Sequence, residues 1–143
     1  MNEAPEPKIS QLNAGRQNAG EQHAAEHGAS EQLATGHDIS KRYQALLGHI
    51  AQQSAKTQKP APLLLAVSKT RPPDDIRAAW HAGCRDFGEN YLQEALPKQE
   101  ALSDLPITWH FIGPLQSNKT RPVATHFDWV HSVDRLRIAQ RLS

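Results

Sequence analysis

Four short apolar runs begin near residues 63, 86, 107 and 128, spaced 23, 21 and 21 residues apart. The stretches between them carry helical patterning, and no two runs are close enough for a tight hairpin. Strand and helix alternating in this way predict parallel βα units. The spacing suits a barrel wall somewhat better than a doubly wound sheet, and periodicity alone leaves both open. The chain has 143 residues, whereas a complete (β/α)8 barrel typically takes about 250 and rarely fewer than about 200. Four units are therefore the expectation.

The runs differ in character. Leu63-Leu64-Leu65-Ala66-Val67-Ser68 is continuous and apolar, as expected of a parallel strand buried on both faces. Cys84 to Gly88, Ile107 to Ile112 and Phe127 to Val133 read as the other three strands. Ser40 is a fitting N-cap for a helix to about Thr57, with Tyr43, Leu46, Leu47 and Ile50 on one face. Pro72-Pro73-Asp74-Asp75 suits a helix first turn, and Gly83 suits its stop. Tyr91 to Leu102 reads as a helix that Pro97 should kink or split. Asn118 to His126 reads as a short helix interrupted early by Pro122. Asp134 opens a last helix.

Residues 1–38 differ from the rest. They carry a net charge of −4 against +5 for the remainder and hold few large apolar side chains. Such a segment cannot bury enough surface to offset its ordering entropy. It reads as a disordered or loosely helical tail, which leaves 39–143 as the folded part. Within it, His23-Ala24-Ala25-Glu26-His27 matches a five-residue zinc-peptidase pattern. No third ligand accompanies it, and a solvated tail is the simpler reading.

Composition narrows the function classes. A net charge of +1 without a basic stripe argues against nucleic-acid binding. No apolar run is long enough for a membrane span. The first residues lack the pattern of a signal peptide, and the single cysteine, Cys84, fits a reducing, cytoplasmic setting. The glycine-rich phosphate loops and the G-x-S-x-G elbow are missing from the sequence.

In βα architectures, chemistry sits at strand C-termini. Lys69 closes the first run. There an amine desolvated by apolar surroundings can attack an aldehyde and form a Schiff base. The plainer reading is a snorkelling lysine or an ion pair with Glu89. His110 and His131 suit ligand contact or backbone hydrogen bonding. Asn90 suits an anion contact or a helix cap. Trp80, Trp109 and Cys84 read as packing residues.

Four motifs at these ends resemble one family. They are Leu65-Ala66-Val67-Ser68-Lys69-Thr70; Phe87-Gly88-Glu89-Asn90-Tyr91 with Gln93-Glu94; Trp109-His110-Phe111-Ile112-Gly113 with Leu115-Gln116-Ser117-Asn118-Lys119; and His131-Ser132-Val133-Asp134-Arg135. In order and content they resemble the pyridoxal phosphate homeostasis proteins, single-domain relatives of the alanine racemase N-terminal barrel. The resemblance spans roughly residues 40–143. It implies an α/β fold, the first four strands of a TIM-type barrel that binds pyridoxal 5′-phosphate. It implies Lys69 as the residue that holds the cofactor as an internal aldimine. Asn90, His110 and Ser132 fall at motif positions facing the barrel mouth and are carried over as cofactor-pocket residues.

The family is taken to buffer and deliver the cofactor to apo-enzymes rather than to turn over a substrate. Its phosphate cup comes from the C-terminal half, so a shortened chain carrying the lysine without that cup is expected. Two alternatives stand beside this reading. One is a racemase-like enzyme, which needs a second acid/base opposite Lys69. The other is a fragment that acts through association, two half-barrels covering each other's edges.

Overall fold

The computed structural model describes residues 17–143, with side chains from residue 36 onward. The chain divides into two compact units, Met1–Ala34 and Thr35–Ser143, and the second carries the sheet. The first helix, α1, spans Gln17–Thr57. It therefore begins well before Ser40, and the expected boundary at 38/39 falls inside it. From Gln17 the segment read as a tail is helical, while residues 1–16 and the side chains of His23 and His27 lie outside the described residues. Ala, Gln and Glu are strong helix formers, so local propensity continues a helix that an apolar stripe does not support. Ser40 is consequently no cap. Its hydroxyl donates to the Gly36 carbonyl one turn back, at 3.1 Å.

Four parallel strands follow: β1 Ala66–Val67, β2 Asp86–Glu89, β3 Thr108–Phe111 and β4 Trp129–Val130. They lie side by side in chain order. Doubly wound sheets reverse direction at a switch point, whereas a barrel wall adds each strand beside the last. The order resolves what spacing left open, in favour of the barrel wall. The connecting helices are α2 Pro73–His81, α3 Leu92–Ala101 and α4 Thr120–His126, the last entered by a 3-10 turn at Ser117–Lys119. Helix α5, Leu136–Leu142, follows β4. No described helix is long and apolar enough to cross a membrane.

Three local expectations are corrected. The run Leu63–Ser68 yields only a two-residue strand, and Leu63 is 70% exposed. Strand β1 has a neighbour on one side only, so the run has no second ladder to extend it. Pro97 does not split α3. It is exposed, as is Gln93, whose carbonyl loses its intrahelical donor, so water can satisfy the group that the proline frees. Pro122 lies in the first turn of α4, where an amide proton has no intrahelical acceptor, so it opens that helix rather than interrupting it.

The helices cover one face of the sheet. Phe87, Trp109 and Phe111 from the strands pack with Ile76, Ala79, Ala95, Val123 and Ile138 from the helices. Phe87 meets Trp109 at 6.2 Å between ring centroids, and Phe111 meets Phe127 edge-on at 5.3 Å. Cys84, fully buried at the entrance to β2, belongs to this core, and burial pushes its thiol pKa up. Gly83 closes the α2 connection at φ +109°, a conformation that side-chain-bearing residues rarely adopt.

Phe87 is the central side chain of this layer, so Phe87→Ala should lower the unfolding free energy by about 3–5 kcal/mol. Urea denaturation followed by tryptophan fluorescence measures it. A loss below about 1 kcal/mol would mean that the sheet–helix layer is not the core.

Candidate functional site

Parallel pairing brings all four strand C-termini to one edge. Val67 pairs with Gly88, Gly88 with His110, and His110 with Trp129. This row lies on the face that the helices leave open, where Val67 is 53% and Trp129 60% exposed. Two residues further along each strand come Lys69, Asn90, Ile112 and His131, and Lys69 already lies in the turn after β1. The ladder reaches just past the strands, with the Ser68 amide donating to Gly88, Ile112 to Glu89, and His131 to Phe111, each at 2.9 Å.

Lys69 lies in the turn just past β1 and is exposed. Among the described residues its amine makes no hydrogen bond or ion pair. The ion pair with Glu89 considered above is not formed. Glu89, fully buried, is instead bonded at 2.9 Å by Lys98 of α3 and at 2.6 Å by the Ser68 hydroxyl. Alternation along the chain explains this: Ser68 turns to the helix side with Glu89, and Lys69 turns away from it.

Asn90 follows β2 directly and is half-buried. A Cβ added at Gly113 would collide with the Asn90 backbone carbonyl. The ends of β2 and β3 therefore approach each other as closely as a glycine allows. A cleft of about 320 Å³ opens beside them, lined in part by Asn90, Tyr91, Gln116 and Lys119. A second cleft of about 380 Å³ lies between α1, α2 and β1, over Ile76 and Phe87. Lys69 lines neither of them.

His110 is buried one level below the lysine row. Its Nε2 lies 3.0 Å from Asp86 Oδ1, and its Nδ1 lies 2.9 Å from His131 Nε2. A carboxylate only accepts, so Nε2 carries the proton toward Asp86, and in neutral His110 the free Nδ1 accepts from His131. Trp129 lies parallel to His110, with 6.2 Å between ring centroids. The structure thus gives His110 side-chain partners, and it orients the exposed His131 through that chain. Ser132 donates its hydroxyl to the Ile112 carbonyl at 3.2 Å, tying the end of β4 to that of β3.

Sequence reasoning passed over Lys98 and Asp86. Glu94 and Lys98 stand four residues apart on α3, in the order that favours a helical ion pair, and this was the available signal. The Lys98 ammonium bonds Glu94 at 2.8 Å, and Glu94 also accepts from the Thr70 amide. The Lys98 hydrogen bond, and then the Thr70 amide, hold the Glu94 carboxyl below the usual glutamate range. The described residues hold no cluster of His, Cys, Asp and Glu suited to a metal ion.

No family model matches the chain. Among curated proteins, it is 75% identical over 80 residues to the pyridoxal phosphate homeostasis protein of Pseudomonas aeruginosa, covering 56% of this chain and 35% of that protein. It is 60% identical over 83 residues to the protein of the same name from Escherichia coli, covering 56% and 36%. Among solved structures, PipY of Synechococcus elongatus with PLP bound aligns at a TM-score of 0.59 and 48% identity, covering 73% of this chain and 46% of that one. An unknown protein from Bifidobacterium adolescentis aligns at a TM-score of 0.68 and 31% identity, covering 76% and 49%. The chain thus spans about a third of the length of these curated relatives and just under half of these solved chains. The resemblance read from the four motifs is borne out over that partial length.

Two outcomes follow from the geometry. Gly113→Ala should force the β2 and β3 ends apart and cost about 1–3 kcal/mol. It should also shift the Asn90 amide resonances, and an unchanged spectrum would refute the contact. Second, a carboxyl whose pKa falls on folding adds stability that is complete above its unfolded pKa and lost as pH drops through the folded one. Acid should therefore erode the Glu94 contribution, and Glu94→Gln should flatten the acid limb of the stability–pH curve. Superimposable limbs for the two proteins would count against it.

Proposed function

We propose, for a chain related through its four-stranded sheet to the pyridoxal phosphate homeostasis proteins, that residues 39–143 form the lysine-bearing part of a pyridoxal 5′-phosphate site. The Lys69 Nζ condenses with the aldehyde carbon of the cofactor, forming an imine and releasing water. The activity is binding: holding the cofactor inside the cell, in the cytoplasm, and releasing it to apo-enzymes.

One observation carries this reading. Lys69 directly follows a barrel-type strand with its amine free of partners among the described residues, at the same edge of the sheet as the strand ends that carry Asn90 and His131. The neighbouring residues suit an aromatic aldehyde. Asn90 offers an amide, His131 a ring nitrogen, and Ile112 an apolar side chain between them. Ser132 contributes by fixing the end of β4. His110 acts from below, setting the tautomer and orientation of His131. The similarity to PipY, solved with PLP bound, supports the same ligand class. Bound there, the cofactor supplies an electrophilic aldehyde, and the chain supplies the nucleophile and its surroundings.

The test is covalent labelling. Pyridoxal 5′-phosphate added to the full chain should give an imine absorption band, and borohydride should then fix the label on Lys69. Lys69→Ala should abolish the band while leaving the fold intact. Label spread evenly over surface lysines would refute the assignment.

A further inference from the structure

Among the described residues the Lys69 amine makes no hydrogen bond or ion pair, yet the backbone on both sides of it is tied down. The ties converge on one buried ammonium. Lys98, only 6% exposed, uses all three of its donors: to the Ser68 carbonyl at 2.9 Å, to Glu89 at 2.9 Å and to Glu94 at 2.8 Å. The Ser68 carbonyl also accepts from the Arg71 amide at 3.0 Å, which closes a reverse turn across Lys69 and Thr70. The Ser68 hydroxyl bonds Glu89, and the Thr70 amide bonds Glu94. Besides the ladder bond from the Ser68 amide to Gly88, the points that fix the residues on either side of Lys69 are held by Lys98 or by a carboxylate bonded to it.

The turn needs holding. Thr70 adopts φ +63°, a left-handed conformation that is a genuine outlier for a β-branched residue. Strain of this kind persists only where the surroundings over-determine it. Burying an ammonium with the Glu89 carboxylate is also a poor way to gain stability, since apolar replacements often do as well. Glu89 Oε2 is left buried with no hydrogen-bond partner, a further cost that packing alone does not require. The arrangement is better suited to fixing a position than to holding α3 on the sheet.

We infer that Lys98 is a positioning residue: with Glu89 and Glu94 it clamps Ser68 and Thr70, and so fixes the direction in which Lys69 presents its amine. The inference rests on the proposed role of Lys69 and adds the element that orients it. Lys98 itself touches no ligand.

The experiment compares the wild-type chain with Lys98→Met, which keeps the stem and removes the donors, and with Lys98→Arg, which restores donors and charge. Three readouts are taken: pyridoxal 5′-phosphate affinity from the imine band, the rate at which a small amine-reactive ester modifies Lys69, and hydrogen exchange at the Thr70 and Arg71 amides. Lys98→Met should weaken binding about tenfold or more, as expected when a reacting group loses its orientation. It should change the reactivity of Lys69 relative to the other lysines and speed exchange at Thr70 and Arg71. Lys98→Arg should recover part of each. If Lys98→Met does not fold, Glu94→Ala, which cuts only the half-exposed arm of the clamp, should produce the same changes in smaller measure. A folded Lys98→Met with unaltered affinity, Lys69 reactivity and exchange would overturn the inference. If the wild-type chain forms its imine elsewhere than on Lys69, the functional proposal fails. The ester and exchange readouts, which need no cofactor, then decide the clamp by themselves.

Discussion

In a parallel sheet, every strand end is placed by its neighbour's register. The ladder from Ala66–Phe87 through Phe87–Trp109 to His110–Trp129 is therefore the constraint on which the candidate site depends. A slip of one residue in any strand would exchange its two faces. It would carry Lys69, Asn90 or His131 to the helix side and bring core residues to the open one. Burial enforces the register: Phe87, Trp109 and Phe111 are covered by helices, and the opposite face has no comparable apolar layer to compete for them.

The two faces divide the labour. The helix side gathers Phe87, Trp109 and Phe111 together with the buried Lys98–Glu89 pair. The open side gathers the groups with free chemistry, over a floor in which His110 is held by Asp86 and His131. Ser68 and Lys69 are adjacent in the chain but serve opposite faces, so one residue anchors the backbone and the next meets solvent. The pairing of a rigid anchor with an uncommitted amine gives this strand end a character that the other three do not share.

Much of the fold was legible because it is written in periodicity. Four runs at nearly equal spacing predicted four parallel strands, and the polar residues ending each run predicted the edge at which the candidate site residues gather. The choice between barrel wall and doubly wound sheet was not legible, since strand order depends on contacts between distant units. The length of β1 was overestimated because an apolar run does not say how many neighbours the strand has. Pro97 and Pro122 were read as breaks because their effect turns on exposure and on position within the first turn. At the site, Lys69, Asn90, His110 and Ser132 could be named from motif positions. Lys98 could not, because the partners of a helix lysine are set by which face of α3 meets the strand ends. His110 was legible as a polar residue near a strand end, but its hydrogen bond to His131 required the pairing of β3 with β4.

The contact between Gly113 and the Asn90 carbonyl has a mechanical consequence. Where backbone rests on backbone, no side chain can rotate to absorb a displacement, and packed protein transmits strain rather than dissipating it. The segments after β2 and β3 therefore behave as one rigid part. The cleft beside them is lined by residues of both segments, Asn90 from one and Gln116 and Lys119 from the other. The placement of Asn90 and that of the segment leading to Gln116 and Lys119 thus share one backbone reference point at Gly113.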